Sequence, residues 1–310
     1  MKIFQKFGIY LISWLFLVQI ACGPIYKPPA PPESPTNEPN THPELDSAKL
    51  RTWIWSELNL PPYTWPDGIA FGNGLFVDFA FDVNGVRIDG DKLRFSLDPL
   101  NPSPPSTNDG NFNYRSEIRT APWQINHPLG SEHWIGWTYT FDPDYVIDPS
   151  SPITIFQNHP GIVGSPPMIE LEIAGLNRPR PAQGGEIQVV NHVLNTRFVT
   201  DFIPQAGQTF EVVVHVVFDE GDKGIFQVWL DGELKYNEAE QTVFDEYPWG
   251  GNNKWGIYHH SHRYDTTEVN TSLDAGATKV SGYMGPLKLL KRDDSAPNYR
   301  TDAYDIVKPE

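Results

Sequence analysis

The sequence predicts an all-β protein, an antiparallel sandwich of two sheets. Three observations carry that expectation: short segments rich in Val, Ile, Phe, Tyr and Trp recur along the chain, turn signals bound them, and helical periodicity is almost absent. The predicted strands run over 75–81, 86–97, 114–120, 134–141, 153–159, 168–173, 186–194, 210–218, 224–230, 254–260 and 284–290. Asn84-Gly85 and Asp231-Gly232 are the sharpest hairpin signals, because both dipeptides tolerate the positive φ angles of tight turns. The best helical stretch, 44–57, soon meets Pro61-Pro62. No repeat of fixed period is present. Strands without interleaved helices pack as two antiparallel sheets.

Ahead of the sandwich lie two other segments. Lys2 and Lys6 precede an apolar run from Ile9 to Ala21, short for a membrane span, and Cys22, the single cysteine, closes it. A lone cysteine at a cleavage position suits acylation, and residues 18–22 resemble a bacterial lipoprotein signal with Gln19 where Leu is usual. The alternative is an ordinary signal peptide. Prolines crowd the stretch from Pro24 to Pro43, which has almost no large apolar residue, so it reads as an extended tether. The expected organisation is a signal over 1–21, a tether over 22–44, a β domain over 45–292 and a tail over 293–310. The expected location is the cell envelope, through the lipid anchor, or outside the cell.

With Lys2 and Lys6 removed, 21 basic residues face 39 acidic ones, a net charge of −18. Such a chain is not expected to bind nucleic acid or an anionic lipid surface. An anionic glycan stays open, because a groove can be locally basic on an acidic protein. A monomer is expected.

Strand periodicity says which residues share a face. Arg115, Glu117 and Arg119 alternate on one face of their strand, Gln157 and His159 on another, and Lys254, Tyr258 and His260 on a third, with Gly256 leaving space between them. Charged rows inside apolar segments are costly unless solvated or lining a site. Taken singly, each row also reads as an ion-pair ladder, a turn histidine or ordinary strand filling.

Together and in this order they resemble the jelly-roll polysaccharide lyases, the group of alginate, glucuronan and heparin-type lyases. Arg115-Ser116-Glu117-Ile118-Arg119, Gln157-Asn158-His159 and Lys254-Trp255-Gly256-Ile257-Tyr258 match the hallmark strands of that group. Residues 166–172 and 226–232 are similar to further segments. Asn158 departs from a usual β-branched residue, and His259-His260 replace the commoner Asn-Gln. The resemblance implies a β-jelly roll that cleaves a uronic-acid-containing polysaccharide by β-elimination, with glucuronan- or ulvan-type chains favoured and alginate or heparin-like chains open. Arg115, Gln157 and His159 would neutralise the substrate carboxylate, and Tyr258 would protonate the leaving oxygen. The base is Tyr258 if both events occur on one sugar face and His159 if they do not.

Supporting roles fall to Glu117, orienting Arg115 or Arg119, and to Arg119, Lys254, His260, Arg263 and Trp249 as substrate contacts. Trp123 and Trp134 are further stacking candidates, Arg178 and Arg180 lie in a loop that would flank a cleft, and His192 and His215 read as satisfied core histidines. No cofactor or catalytic metal is expected, and calcium near Asp78 or Asp82 has no support beyond the carboxylates themselves. Two rivals remain: a sandwich-fold glycoside hydrolase using Glu170 and Glu172, and a non-catalytic glycan-binding lipoprotein.

Overall fold

In the computed structural model the described residues are 48–60, 74–78, 85–98, 114–120, 127–148, 152–162, 164–175, 184–259 and 266–310. In chain order the first strands are β1 (Ala48–Trp53), β2 (Phe76–Asp78), β3 (Val86–Asp89), β4 (Lys92–Leu97), β5 (Arg115–Arg119) and β6 (Glu132–Phe141). There follow β7 (Ile153–His159), β8 (Ile169–Ile173), β9 (Ile187–Asn191), β10 (Thr196–Val199) and β11 (Thr209–Val217). The last are β12 (Ile225–Leu230), β13 (Glu233–Ala239), β14 (Asn252–Tyr258), β15 (Val280–Met284) and β16 (Leu287–Arg292). Two helices, α1 (Thr266–Asp274) and α2 (Tyr304–Val307), complete the set. None is long and apolar enough to cross a membrane.

The strands form two antiparallel sheets. The front sheet runs β10-β9-β8-β7-β14-β5-β2, and the back sheet runs β13-β12-β11-β6-β15-β4-β3, with β16 and β1 continuing from β6. Alternation sends Ile118, Phe156, Leu171, Trp255 and Ile257 of the front sheet against Ile135, Trp137, Tyr139, Val212 and Val214 of the back sheet. This shared layer is the core, and it frees the other face of each sheet to carry polar residues. The sandwich and its jelly-roll class are as the sequence predicts.

Differences in detail have local causes. The segment expected as helix, 44–57, is instead β1 followed by a 3-10 turn over Trp55–Glu57. Ladder bonds to β16 and burial of Trp53 and Trp55 outweigh its weak helical propensity. The run 86–97, read as one strand, is the hairpin β3–β4, turning at Gly90 with φ +65°. At Asp231-Gly232 both φ angles are positive, 48° and 79°, as a tight hairpin requires. Asn84 lies outside the described residues.

Candidate active site

Three front-sheet strands bring the polar rows together. Lys254 on β14 is opposite Arg119 of β5 on one side and Gln157 of β7 on the other, while Gly256 faces Glu117 and Tyr258 faces Arg115. A side chain at Gly256 would overlap the Ser116 carbonyl oxygen, so only glycine lets β14 and β5 approach there. Between Trp255 and Tyr258 the β14–β7 register shifts, an irregularity of the kind that re-aims a side chain.

The lower layer of the site is a buried charge network centred on Asp78 of β2. Lys254 Nζ donates to Asp78 Oδ2 at 2.7 Å, Arg119 Nε lies 3.3 Å from Oδ1, and Arg115 lies 4.0 Å from Oδ2. Burial alone would raise the Asp78 carboxyl, but Lys254, Arg115 and Arg119 outweigh it and hold that group below its ordinary range. Glu117 is the converse. Burial raises it despite Lys254 and Arg115, with Arg115 3.6 Å away and Gln157 Nε2 donating to it at 2.5 Å. Among the described residues, three cations thus surround two carboxylates in this layer.

Above it sit the groups that reach solvent. Arg115 and Arg119 keep 15% and 12% of their side chains exposed, and the Arg115 guanidinium lies 4.9 Å from the centre of the Tyr258 ring. Burial would lower the Arg115 pKa, but Tyr258, then Asp78 and Glu117, push it above its usual value. His159 is engaged at both ring nitrogens: the Gly161 N–H reaches Nδ1 at 3.0 Å, so Nε2 carries the hydrogen that faces the Ser165 carbonyl at 3.1 Å. Burial, with Lys254 and Arg115 nearby, depresses its pKa to about 3, so the imidazole is neutral at ordinary pH.

Residues 79–274, more than half of the chain, match the family model described as polysaccharide lyase. The chain belongs to this polysaccharide lyase family. Solved structures similar to the lyase include an endo-β-1,4-glucuronan lyase from the fungus Trichoderma reesei, 16% identical over 70% of this chain and 87% of that one, with a TM-score of 0.43. An alginate lyase from Pseudomonas aeruginosa is 15% identical over 66% of this chain and 84% of that one, TM-score 0.44. A family 7 alginate lyase in complex with substrate is 14% identical over 68% and 83%, TM-score 0.48. Among curated proteins no match was found.

The lyase brings Arg115, Glu117, Arg119, Gln157, Lys254 and Tyr258 to one sheet face, with His159 at the end of β7. Several expectations need correction. Lys254, expected to contact substrate, has no exposed surface and spends its charge on Asp78. Asp78, near which calcium has no support in the sequence, is the hub of three cations. Trp134 is no sugar platform either, because it stacks on His215 at 3.9 Å on the outer face of the other sheet.

Trp249 is partly exposed and donates its indole N–H to the Pro160 carbonyl beside His159, a position compatible with stacking. Glu170 and Glu172 continue the polar face beyond Gln157, where His192 meets Glu170 at 2.6 Å and Arg197 meets Glu172. Their charges are thus already paired. His192 is accordingly a face residue and not a core one. Of the residues that depart from the hallmark strands, Asn158 and His259 turn inward: Asn158 donates to Asn253, and His259 lies 3.3 Å from Asp148, which also accepts from Ser272 of α1. Cys22, Asp82, Trp123, Arg178, Arg180, His260 and Arg263 lie outside the described residues.

Proposed function

We propose that this lyase cleaves a uronic-acid-containing polysaccharide by β-elimination. The observation that carries the reading is the gathering of Arg115, Arg119 and Lys254 on one sheet face, with the Arg115 guanidinium 4.9 Å from the centre of the Tyr258 ring. The C5 proton of a uronate is hard to remove because the adjacent carboxylate is already negative. Arg115 and Arg119 neutralise that carboxylate and stabilise the enolate-like charge that forms when the proton leaves. Asp78 and Glu117 hold both guanidiniums in place, and Lys254 prevents the two buried carboxylates from cancelling them.

In this reading Tyr258 is both base and acid. Its oxygen takes the C5 proton, the C5–H electron pair becomes the C4–C5 double bond, the C4–O4 bond breaks, and the same phenol protonates O4. Two features favour Tyr258 over His159 as the base. The neighbouring Arg115 favours negative charge on the phenol oxygen, whereas both His159 nitrogens are committed to backbone groups and its cationic form is strongly disfavoured. His159 then acts as a neutral group shaping the end of the groove. No step requires a metal.

Glucuronan- and ulvan-type chains head the substrate panel, followed by alginate and heparin. The inward orientation of Asn158 and His259 removes those residues as guides to the sugar. Incubation with each polysaccharide should raise ultraviolet absorbance from unsaturated ends with at least one uronate chain and with no neutral glucan. Reducing ends released without that absorbance would mean hydrolysis and overturn the reading. Attachment of lipid at Cys22 belongs to the same proposal: Cys22→Ser should move the protein from the membrane fraction to the soluble one, and an unchanged distribution would refute the anchor.

A further inference from the structure

A second polar cluster, unused by the elimination, lies on the other side of β14 within the sandwich. Its geometry can be followed outward from a fixed backbone contact. Asn158 accepts from the Gly251 N–H and donates to the Gly251 carbonyl, which fixes its amide orientation. Its Nδ2 also donates to Asn253 Oδ1 at 2.9 Å, so the Asn253 amide nitrogen is the group facing His133 Nδ1 at 3.0 Å. His133 Nδ1 is therefore an acceptor, and in the neutral ring Nε2 carries the hydrogen. That Nε2–H is buried with no hydrogen-bond acceptor, in a residue only 1% exposed.

Around it stand more donors. Lys291 of β16 is directly opposite His133 of β6, and its Nζ lies 3.4 Å from His127 Nε2, so the amine donates and the ring accepts. The rings of His127 and His133 are 4.6 Å apart, edge to face. Burial first, then Lys291, keeps both imidazoles well below their ordinary pKa, and burial with Arg51 brings the lysine down to about 7. No carboxylate among the described residues pairs with any of the three. An orphaned buried donor beside an amine without a counter-ion is costly unless something accepts from both.

We propose that His133 Nε2–H and the Lys291 ammonium bind a small monovalent anion of the halide class. Lys291 as a whole is half-buried. Among the described residues the charged and titratable groups near it are His127, His133 and Arg51. All are basic. The anion would link β6, β16 and the loop carrying His127, and through Asn253 it would support the strand that carries Lys254 and Tyr258.

The test uses the whole protein and needs no substrate. Melting is compared at pH 6 in sodium chloride, sodium bromide and sodium gluconate of equal ionic strength. At a halide concentration about ten times the Kd, the melting temperature should exceed that in gluconate by about 3–5 °C. The difference should shrink at pH 8.5, where Lys291 is neutral, and vanish in Lys291→Met. Should that variant fail to fold, Lys291→Arg should keep the shift and lose its pH dependence. Bromide-soaked crystals should show an anomalous peak between His133 Nε2 and Lys291 Nζ. Equal melting in halide and gluconate with no peak would overturn the site, leaving water or the Phe218 ring, 4.9 Å from His133, to receive the N–H.

Discussion

The outer faces of the two sheets both carry ionic rows inside apolar strands, yet they do opposite things. On the back sheet, Glu132 is completely buried and meets His215 at 2.9 Å, Arg292 at 3.3 Å, the Trp134 indole at 3.1 Å and the Arg300 backbone N–H at 3.2 Å. The segment after Arg292 covers this network, with Ala303 and Val307 packed on Trp134, Val213 and Leu290. Gly136 permits the cover, because a side chain there would overlap the Val307 carbonyl oxygen. On the front sheet Arg115 and Arg119 keep 15% and 12% of their side chains exposed, with Tyr258 and His159 at 7% and 8% beside them. What separates the two networks is the covering segment and the exposure of the charged groups, not the residue types.

That contrast can be broken most sharply at Tyr258. Tyr258→Phe should lower kcat by about 10³-fold or more, the scale of lost acid–base catalysis, while KM stays within a few-fold. Assays following unsaturated ends decide it, and substantial residual kcat would remove Tyr258 from the chemistry. The matching experiment on the back sheet is Glu132→Ala, which strands His215 and Arg292 without their buried carboxylate. Denaturant melts should show a loss of about 3–5 kcal/mol, with kcat of the folded protein unchanged. A fall in kcat without a loss of stability would mean that the two faces communicate.

A smaller effect comes from pH. The folded-state pKa of His159, about 3, lies below its unfolded value, so its stability contribution is present above pH 6.5 and is lost as pH falls toward 3. Between pH 6.5 and 5 this amounts to about 2 kcal/mol for a fully coupled proton. Glu172, raised to about 7, works with the opposite sign, stabilising at low pH and losing that contribution as pH rises through 7. Because the two effects oppose between pH 5 and 6.5, the measurement is a difference between proteins: the melting temperature of His159→Gln should fall less, or rise more, with acid than that of the wild type, and an identical slope would show that the ring is already protonated or exposed. The smallest change is expected from Trp249→Ala, a rise in KM of a few-fold with kcat preserved, the scale of one aromatic contact.

Much of the site was legible because strands alternate with period two. Arg115, Glu117 and Arg119 share a face, as do Lys254 and Tyr258, and no tertiary information is needed to see that. The same parity places Asn158 and His259 on the inward face, so these departures from the family strands concern packing within the sandwich. Asp78 was harder. Its role depends on β2 pairing with β5, which places Asp78 opposite Glu117, and short edge strands leave little register information in sequence. The available hint was electrostatic: three buried cations on two strands call for a carboxylate from a third. β1 escaped notice as a strand because its partner, β16, is remote in sequence, whereas β3–β4 was missed despite an Asp89-Gly90 turn signal within the run.

The pairing of β1 with β16 also constrains how the protein is made. β16 is wedged between β1 and β6, so the opening strand of the sandwich has no neighbour until nearly the whole domain has been synthesised. A nascent chain stalled before Leu287 would leave one edge of β6 bare opposite Glu132 and His133, inviting pairing with another chain. Holding such intermediates unfolded until the final strand emerges is a demand that this topology places on the cell that produces it.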